Sequence, residues 1–260
     1  MLILLPPSEG KSAAPSGGPV RWENLLFPEL TEARRTVLDA LGTVSGGADA
    51  HAVLGVGKTL AADVQRNLVL DVEPAAPAHD IYSGVLYDAL GYRTLTPEQQ
   101  CRARAACVVV SGLWGAVGFG DAIPAYRLSM SVDLPGTGRL ASYWKQHLSV
   151  PLAKHAGDGL VVDCRSSTYA AAWAPPPERS AAVNVFQLRN GKRTVVSHFA
   201  KHTRGELARH LLTRSGPHPE TPEALLEVTC EKWTAELDPA RGRKPAQLNI
   251  VLDGAAPPGE

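Results

Sequence analysis

Three short runs, Leu2 to Leu5 (LILL), Cys107 to Val110 (CVVV) and Leu160 to Val162 (LVV), are apolar at every position. They lack the polar alternate residues of a strand with one wet face, so they read as strands covered on both sides. That demands helices packed over a sheet, and the intervening segments carry helical patterns. A Pro-Glu pair opens a predicted helix over 28–41, Leu60, Val64 and Leu68 mark one over 59–70, and Thr96-Pro97-Glu98 starts one that runs to 106. Further helices are expected over 140–152, ending at the Ser149-Val150-Pro151 break, and over 204–212 and 220–237. Val183 to Leu188 and Arg193 to Phe199 flank Asn190-Gly191, the strongest short signal for a β-hairpin, and residues 247–253 read as a last strand. Strands and helices interleave, which predicts a mixed α/β (α+β) fold: a single domain over 1–253 with a central mixed sheet, a hairpin near 183–199 and surrounding helices. The Pro/Gly-rich tail, 254–260, is expected to be disordered.

With 260 residues and a hydrophobic share of 44%, the chain has enough apolar material for a substantial core. Its formal net charge is zero, so no global field draws it to nucleic acid or to an anionic membrane, and any such contact must come from a local patch. No apolar run approaches a membrane span, and the chain opens into MLILLPP without a basic region and cleavable apolar core, so a cytoplasmic protein is expected. Cys101, Cys107, Cys164 and Cys230 are scattered without Cys-x-x-Cys spacing and are read as buried thiols.

The stretch ILLPPSEGKS (3–12) ends as a phosphate-binding P-loop ends, in Gly10-Lys11-Ser12. A Walker loop also needs a glycine where this chain has Leu5, and Pro6 and Pro7 have no N–H to offer phosphate. The better reading is a polar strand end. Ser8, Glu9 and Lys11 follow the first apolar run, Ser111 the second, and Asp163, Arg165, Ser166 and Ser167 the third. Tyr126-Arg127, Lys201 and Arg204 add to this set. If the strands lie side by side, these groups converge at a sheet's carboxyl edge, where open α/β sheets bind ligands. Lys11, Arg127, Arg165, Lys201 and Arg204 then supply cations for a small anionic or nucleotide-like ligand, with Ser8, Ser111, Tyr126 and Ser166 beside them and Glu9 or Asp163 for acid–base work.

A second constellation lies in VDLPGTGRLASYWKQHL (132–148). An apolar residue, then Pro-Gly-x-Gly, then a helix has the shape of a helix-hairpin-helix element that grips the DNA backbone without reading sequence. Gly136 and Gly138 would admit a phosphate, and Arg139 and Lys145 would supply charge. The preceding YRLSMSVD is a poor helix. His198 and His202 stand four apart without the glutamate of a zincin, no carboxylate–histidine set has convincing spacing, and no Gly-x-Gly-x-x-Gly fingerprint follows a strand, so neither metal nor cofactor is predicted.

The ordered series PPSEGK, IYSGVLYDAL, VVVSGLWGAV, AYRLSM, GRLASYWKQHL, VVDCRSSTY and HFAKHTRGELARHLL resembles the peroxide stress protein YaaA family, and the resemblance spans nearly the whole chain. It implies a compact α/β fold of unusual topology and a cytosolic role in oxidative stress and intracellular iron control. It also implies binding of double-stranded DNA through a helix-hairpin-helix-like element, which maps onto Leu134 to Lys145. Two expectations therefore stand together: a DNA-binding stress protein, or an enzyme acting on a small anion in the strand-end cleft.

Overall fold

The computed structural model describes residues 1–189 and 192–252. Its centre is an eight-stranded mixed sheet: β1 (Leu2–Leu5), β2 (Cys107–Ser111), β3 (Gly115–Gly118), β4 (Val161–Asp163), β5 (Ser180–Arg189), β6 (Lys192–Thr194), β7 (Thr234–Asp238) and β8 (Ala246–Leu252). Across the sheet the order is β7-β8-β5-β4-β1-β2-β3, with β6 paired to β5. The five inner strands run parallel, and β3 and β7 close the edges antiparallel. Every residue of β1, β2, β3 and β4 is buried, as expected for apolar strands covered on both faces, whereas β7 at the far edge alternates exposed and half-buried positions.

Among the described residues ten α-helices surround the sheet: α1 (Thr31–Ser45), α2 (Ala50–Leu54), α3 (Ala61–Arg66), α4 (Ala78–Ile81), α5 (Val85–Leu90), α6 (Pro97–Ala106), α7 (Leu140–Ala156), α8 (Ser167–Ala170), α9 (Ser197–Thr213) and α10 (Pro222–Cys230). Helix α6 begins where the sequence predicts, with Thr96 and Gln99 closing a reciprocal capping box.

Four expectations are corrected. The helix expected over 59–70 is α3, which ends at Arg66. Helix α7 does not stop at Pro151 but runs through it to Ala156. Proline forfeits one backbone bond to the half-exposed His147 carbonyl, and that loss is offset by burial of Leu148, Pro151 and Leu152. The segment 220–237 is not one helix: α10 ends at Cys230, and Ala235 and Leu237 turn inward between exposed Thr234, Glu236 and Asp238, a period of two that makes β7. The return arm of the hairpin ends at Thr194, since Ser197 already belongs to α9. Its turn, Asn190-Gly191, and the predicted tail lie outside the described residues.

The topology positions a site. From β1 the chain reaches β2 on one side and β4 on the other, so the direction of winding reverses at β1 and a crevice opens at its carboxyl end. Strand β5 pairs with β4 only over Ser180 to Ala182, then overshoots it and pairs with β6 over Gln187 to Arg189. Helix α9 follows at once, beginning at the rim of the crevice.

Candidate functional site

The loop after β1 is tied down along its length. The Tyr87 hydroxyl donates to the Pro6 carbonyl at 2.7 Å, the Ser83 amide to Ser8 Oγ at 3.0 Å, and the Ser12 amide to the Ile81 carbonyl at 2.9 Å. Ser8 Oγ in turn donates to the Gly10 carbonyl, and Lys11 forms an antiparallel bridge with Tyr82. This is a rigid polar loop stapled to residues 81–87.

Two cavities flank it. One, of about 410 Å³, is lined by Ser8, Glu9, Tyr87, Ser166, Lys201 and Arg204 among others. The second, of about 360 Å³, holds Lys11, Arg127, Val56 and Asp133. Both are bordered by Ser8, Glu9, Ser129, Ser131 and Tyr169, which makes them two lobes of one cleft.

Lys11 sets the electrostatics of the second lobe. Its Nζ donates to the Ser8 carbonyl at 2.7 Å and lies 4.4 Å from the centre of the Tyr126 ring. Burial, and after it the neighbouring Arg127 guanidinium, pull the Lys11 amine down to about 7. Arg127 Nη1 donates to the Glu9 carbonyl at 3.0 Å, while its Nη2 stands 4.0 Å from a Glu9 carboxylate that is largely in solvent. Arg127 is itself held through its backbone: its amide donates to Asn67 Oδ1 at 2.9 Å, and Asn67 Nδ2 donates to its carbonyl at 3.0 Å. Beneath Lys11 a buried hydroxyl chain runs from Ser111 through Tyr126 at 2.7 Å to Tyr82 at 3.0 Å, and burial raises both phenols far above their ordinary range. These hydroxyls stay protonated and hold the ring under the amine.

The residues expected from sequence divide into three groups. Ser8, Glu9, Lys11, Arg127, Ser166, Lys201 and Arg204 meet in the cleft. Ser111 and Tyr126 support it from below. Asp163 and Arg165 line neither lobe: their side chains form a buried bidentate pair at 2.8 and 2.7 Å, and Arg165 also donates to the carbonyls of Tyr169 and Trp173. Arg204 gives two bonds to the Val183 carbonyl, 3.1 and 2.7 Å, just past the last β5 residue that pairs with β4.

The Pro-Gly-Thr-Gly segment is a tight hairpin, Asp133–Leu134 against Gly138–Arg139, beside the second lobe. Gly136 and Gly138 have φ of +87° and +69°, and space above both is open. Arg139 and Lys145 are exposed. Residues 124–132 contain no helix, so the element is a hairpin followed by one helix. The basic loop 241–244 joins β7 and β8 at one edge of the sheet, whereas α7 packs on β3 at the opposite edge.

Sequence reasoning missed Asn67, Ser83, Tyr87, Ser129, Ser131 and Tyr169. Tyr87 and Ser83 lay in a segment whose mixture of aromatic and small residues was the available signal; Asn67 had none. Two cysteines expected to be buried, Cys101 and Cys230, are exposed. Cys107 and Cys164 are buried on either side of β1, and burial pushes both thiols up, Cys164 to about 12, so neither offers a thiolate near neutral pH. His202 pairs with Glu206 at 3.2 Å, and among the described residues no group of three or more His, Cys, Asp or Glu could hold a metal ion. Among them, too, no helix is long and apolar enough to cross a membrane.

Residues 1–238 match the family model described as peroxide stress protein YaaA. The chain is also similar to a UPF0246 protein of Streptomyces coelicolor, 44% identical over 259 residues, 97% of this chain and 98% of that one. A UPF0246 protein of Corynebacterium efficiens is 43% identical over 217 residues, 82% and 85% of the two chains. At greater distance, an uncharacterized protein of Campylobacter jejuni is 26% identical over 210 residues, 80% and 82% of the two.

Proposed function

We propose a ligand-binding and acid–base role for the cleft of this chain, which belongs to the peroxide stress protein YaaA family. The ligand is a small, nucleotide-like anion held by Arg127, Lys201 and Arg204, and Lys11 is the group that exchanges a proton with it. One observation carries this reading: the half-buried Lys11 amine lines the cleft at the carboxyl end of β1, where the sheet reverses its winding, with Arg127 beside it. Asp163, spent on Arg165, is not available for that work, and the Glu9 carboxylate is largely solvated, 4.0 Å from Arg127.

Sulfate tests the site, because its charge is constant across the useful pH range. Below about 7 Lys11 is an ammonium and attracts the ion; above it the attraction is lost. The dissociation constant of sulfate, measured by calorimetry, is expected to rise severalfold from pH 6 to pH 8.5 in the wild type and to change little in Lys11→Met. Stability moves the opposite way through the same group. Between about 7 and the ordinary value of 10.5 the unfolded chain keeps a proton that the native chain has released, so this group's contribution to stability grows as pH rises across that window. A sulfate affinity independent of both pH and Lys11 would sink the reading.

A second reading rests on the hairpin. Two open, left-handed glycines ahead of a 17-residue helix suit close approach of a phosphate backbone, and Arg139 and Lys145 flank it. Double-stranded DNA binding through this element predicts that Arg139→Ala/Lys145→Ala lowers affinity and makes the slope of log K against log salt shallower by about 1.8, two phosphates' worth. Binding with an unchanged salt slope in the double variant would remove the hairpin from any DNA contact.

A further inference from the structure

We infer that Lys11 is a nucleophile, and that the second lobe takes a small anionic aldehyde or ketone as an imine on Lys11 Nζ. This rests on the reading of the cleft as an anion site. Three geometric features support it. First, Lys11 is fixed at both ends, its backbone bridged to Tyr82 and its amine held by the Ser8 carbonyl over the Tyr126 ring. Second, among the described residues no carboxylate stands within 4.0 Å of that amine: Glu9 is turned toward Arg127 and Asp63 toward Arg66. With only the Ser8 and Glu9 carbonyls as hydrogen-bond acceptors among the described residues, at 2.7 and 3.4 Å, the amine is not locked in an ion pair, and its deprotonated form is a nucleophile. Third, the lobe has the fittings for such a guest. Arg127 is placed for an anionic group, Val53 and Val56 offer an apolar wall, and Ser129 and Ser131 bring hydroxyls to the border between the lobes.

In the step itself the Nζ lone pair adds to the carbonyl carbon and the carbonyl oxygen takes up a proton, giving a carbinolamine. Loss of that oxygen as water leaves a C=N bond to Lys11. Nothing is oxidised or reduced, and hydrolysis in the reverse sense returns the free amine. The imine acidifies the carbon next to it, which is what a lysine in this position would contribute to a reaction. The low protonation midpoint of Lys11 favours the attacking form at physiological pH.

Pyridoxal 5′-phosphate is a suitable probe, since it joins an aldehyde to a phosphate and its imine absorbs visible light. The full chain is incubated with it, reduced with borohydride and mapped by peptide mass spectrometry, with sulfate affinity measured on the same preparation. The expected result is an adduct on Lys11 at least tenfold faster than on exposed Lys58, suppressed by sulfate, and lost in Lys11→Arg while Lys201 labels as before. Sulfate protection in the wild type decides the matter even if Lys11→Arg folds poorly. Labelling of Lys11 no faster than Lys58, with sulfate still bound in the pH-dependent manner above, overturns the imine and leaves the anion site standing. Absence of both labelling preference and sulfate binding overturns the two together.

Discussion

Gly205→Ala is expected to cost about 3 kcal/mol of folding stability, at the upper end of what overpacking usually does. Gly205 lies in α9 where that helix crosses α5, and an added Cβ would come within 2.1 Å of the Leu86 carbonyl oxygen and 2.9 Å of the Ala89 Cβ. The first of these neighbours is backbone and cannot rotate away, so the helices themselves must separate. For a chain of this size the melting temperature should fall by roughly 6–12 °C. Gly42, within α1, supplies the opposite control, because a Cβ added there would stand in open space. Gly42→Ala should raise stability by about 0.5–1 kcal/mol through helix propensity alone. The Gly205 contact also bears on the cleft. Tyr87 comes from α5, and Lys201 and Arg204 come from α9, so the same close approach that excludes a methyl group brings the walls of the larger lobe together. Thermal unfolding and sulfate titration of the two variants check both halves, and a Gly205→Ala protein as stable as the wild type would mean that the helices do not meet this closely.

Much of the site's layout is legible in the sequence because it is encoded locally. Each apolar run ends after three or four positions and gives way within two residues to polar ones, and a parallel sheet brings such breaks to one edge whatever the order of the strands. What sequence could not supply is direction. Asp163 and Arg165 are separated by one residue, and in an isolated strand end both would be free to face a ligand. In the fold they turn toward each other, and the Arg165 guanidinium that grips Asp163 also donates to the Tyr169 and Trp173 carbonyls. Asn67 was invisible for a related reason. Its partner, the backbone of Arg127, is 60 residues away, and an asparagine at the end of a short helix carries no mark of so remote a hydrogen bond. The helix expected to continue to residue 70 ends at Arg66, and the amide that follows is the one used to clamp Arg127.

That distinction between a residue near a site and a residue in it yields the other large effect. Asp163→Ala leaves a buried guanidinium without its carboxylate, and Arg165→Met leaves a buried carboxylate without its guanidinium; each is expected to destabilise the chain by about 3–5 kcal/mol in urea unfolding. The double variant should be less destabilised than the sum of the two, because no buried charge is then left unpaired. Residual loss in the double variant measures the rest of Arg165's work. Its bonds to Tyr169 and Trp173 hold the turn that carries Ser166 and Tyr169 to the cleft, so sulfate affinity should remain below that of the wild type even where stability is recovered. The opposite pattern, an Asp163→Asn protein of full stability that has lost only a ligand-dependent property, would return Asp163 to acid–base duty and remove the ground for assigning that duty to Lys11.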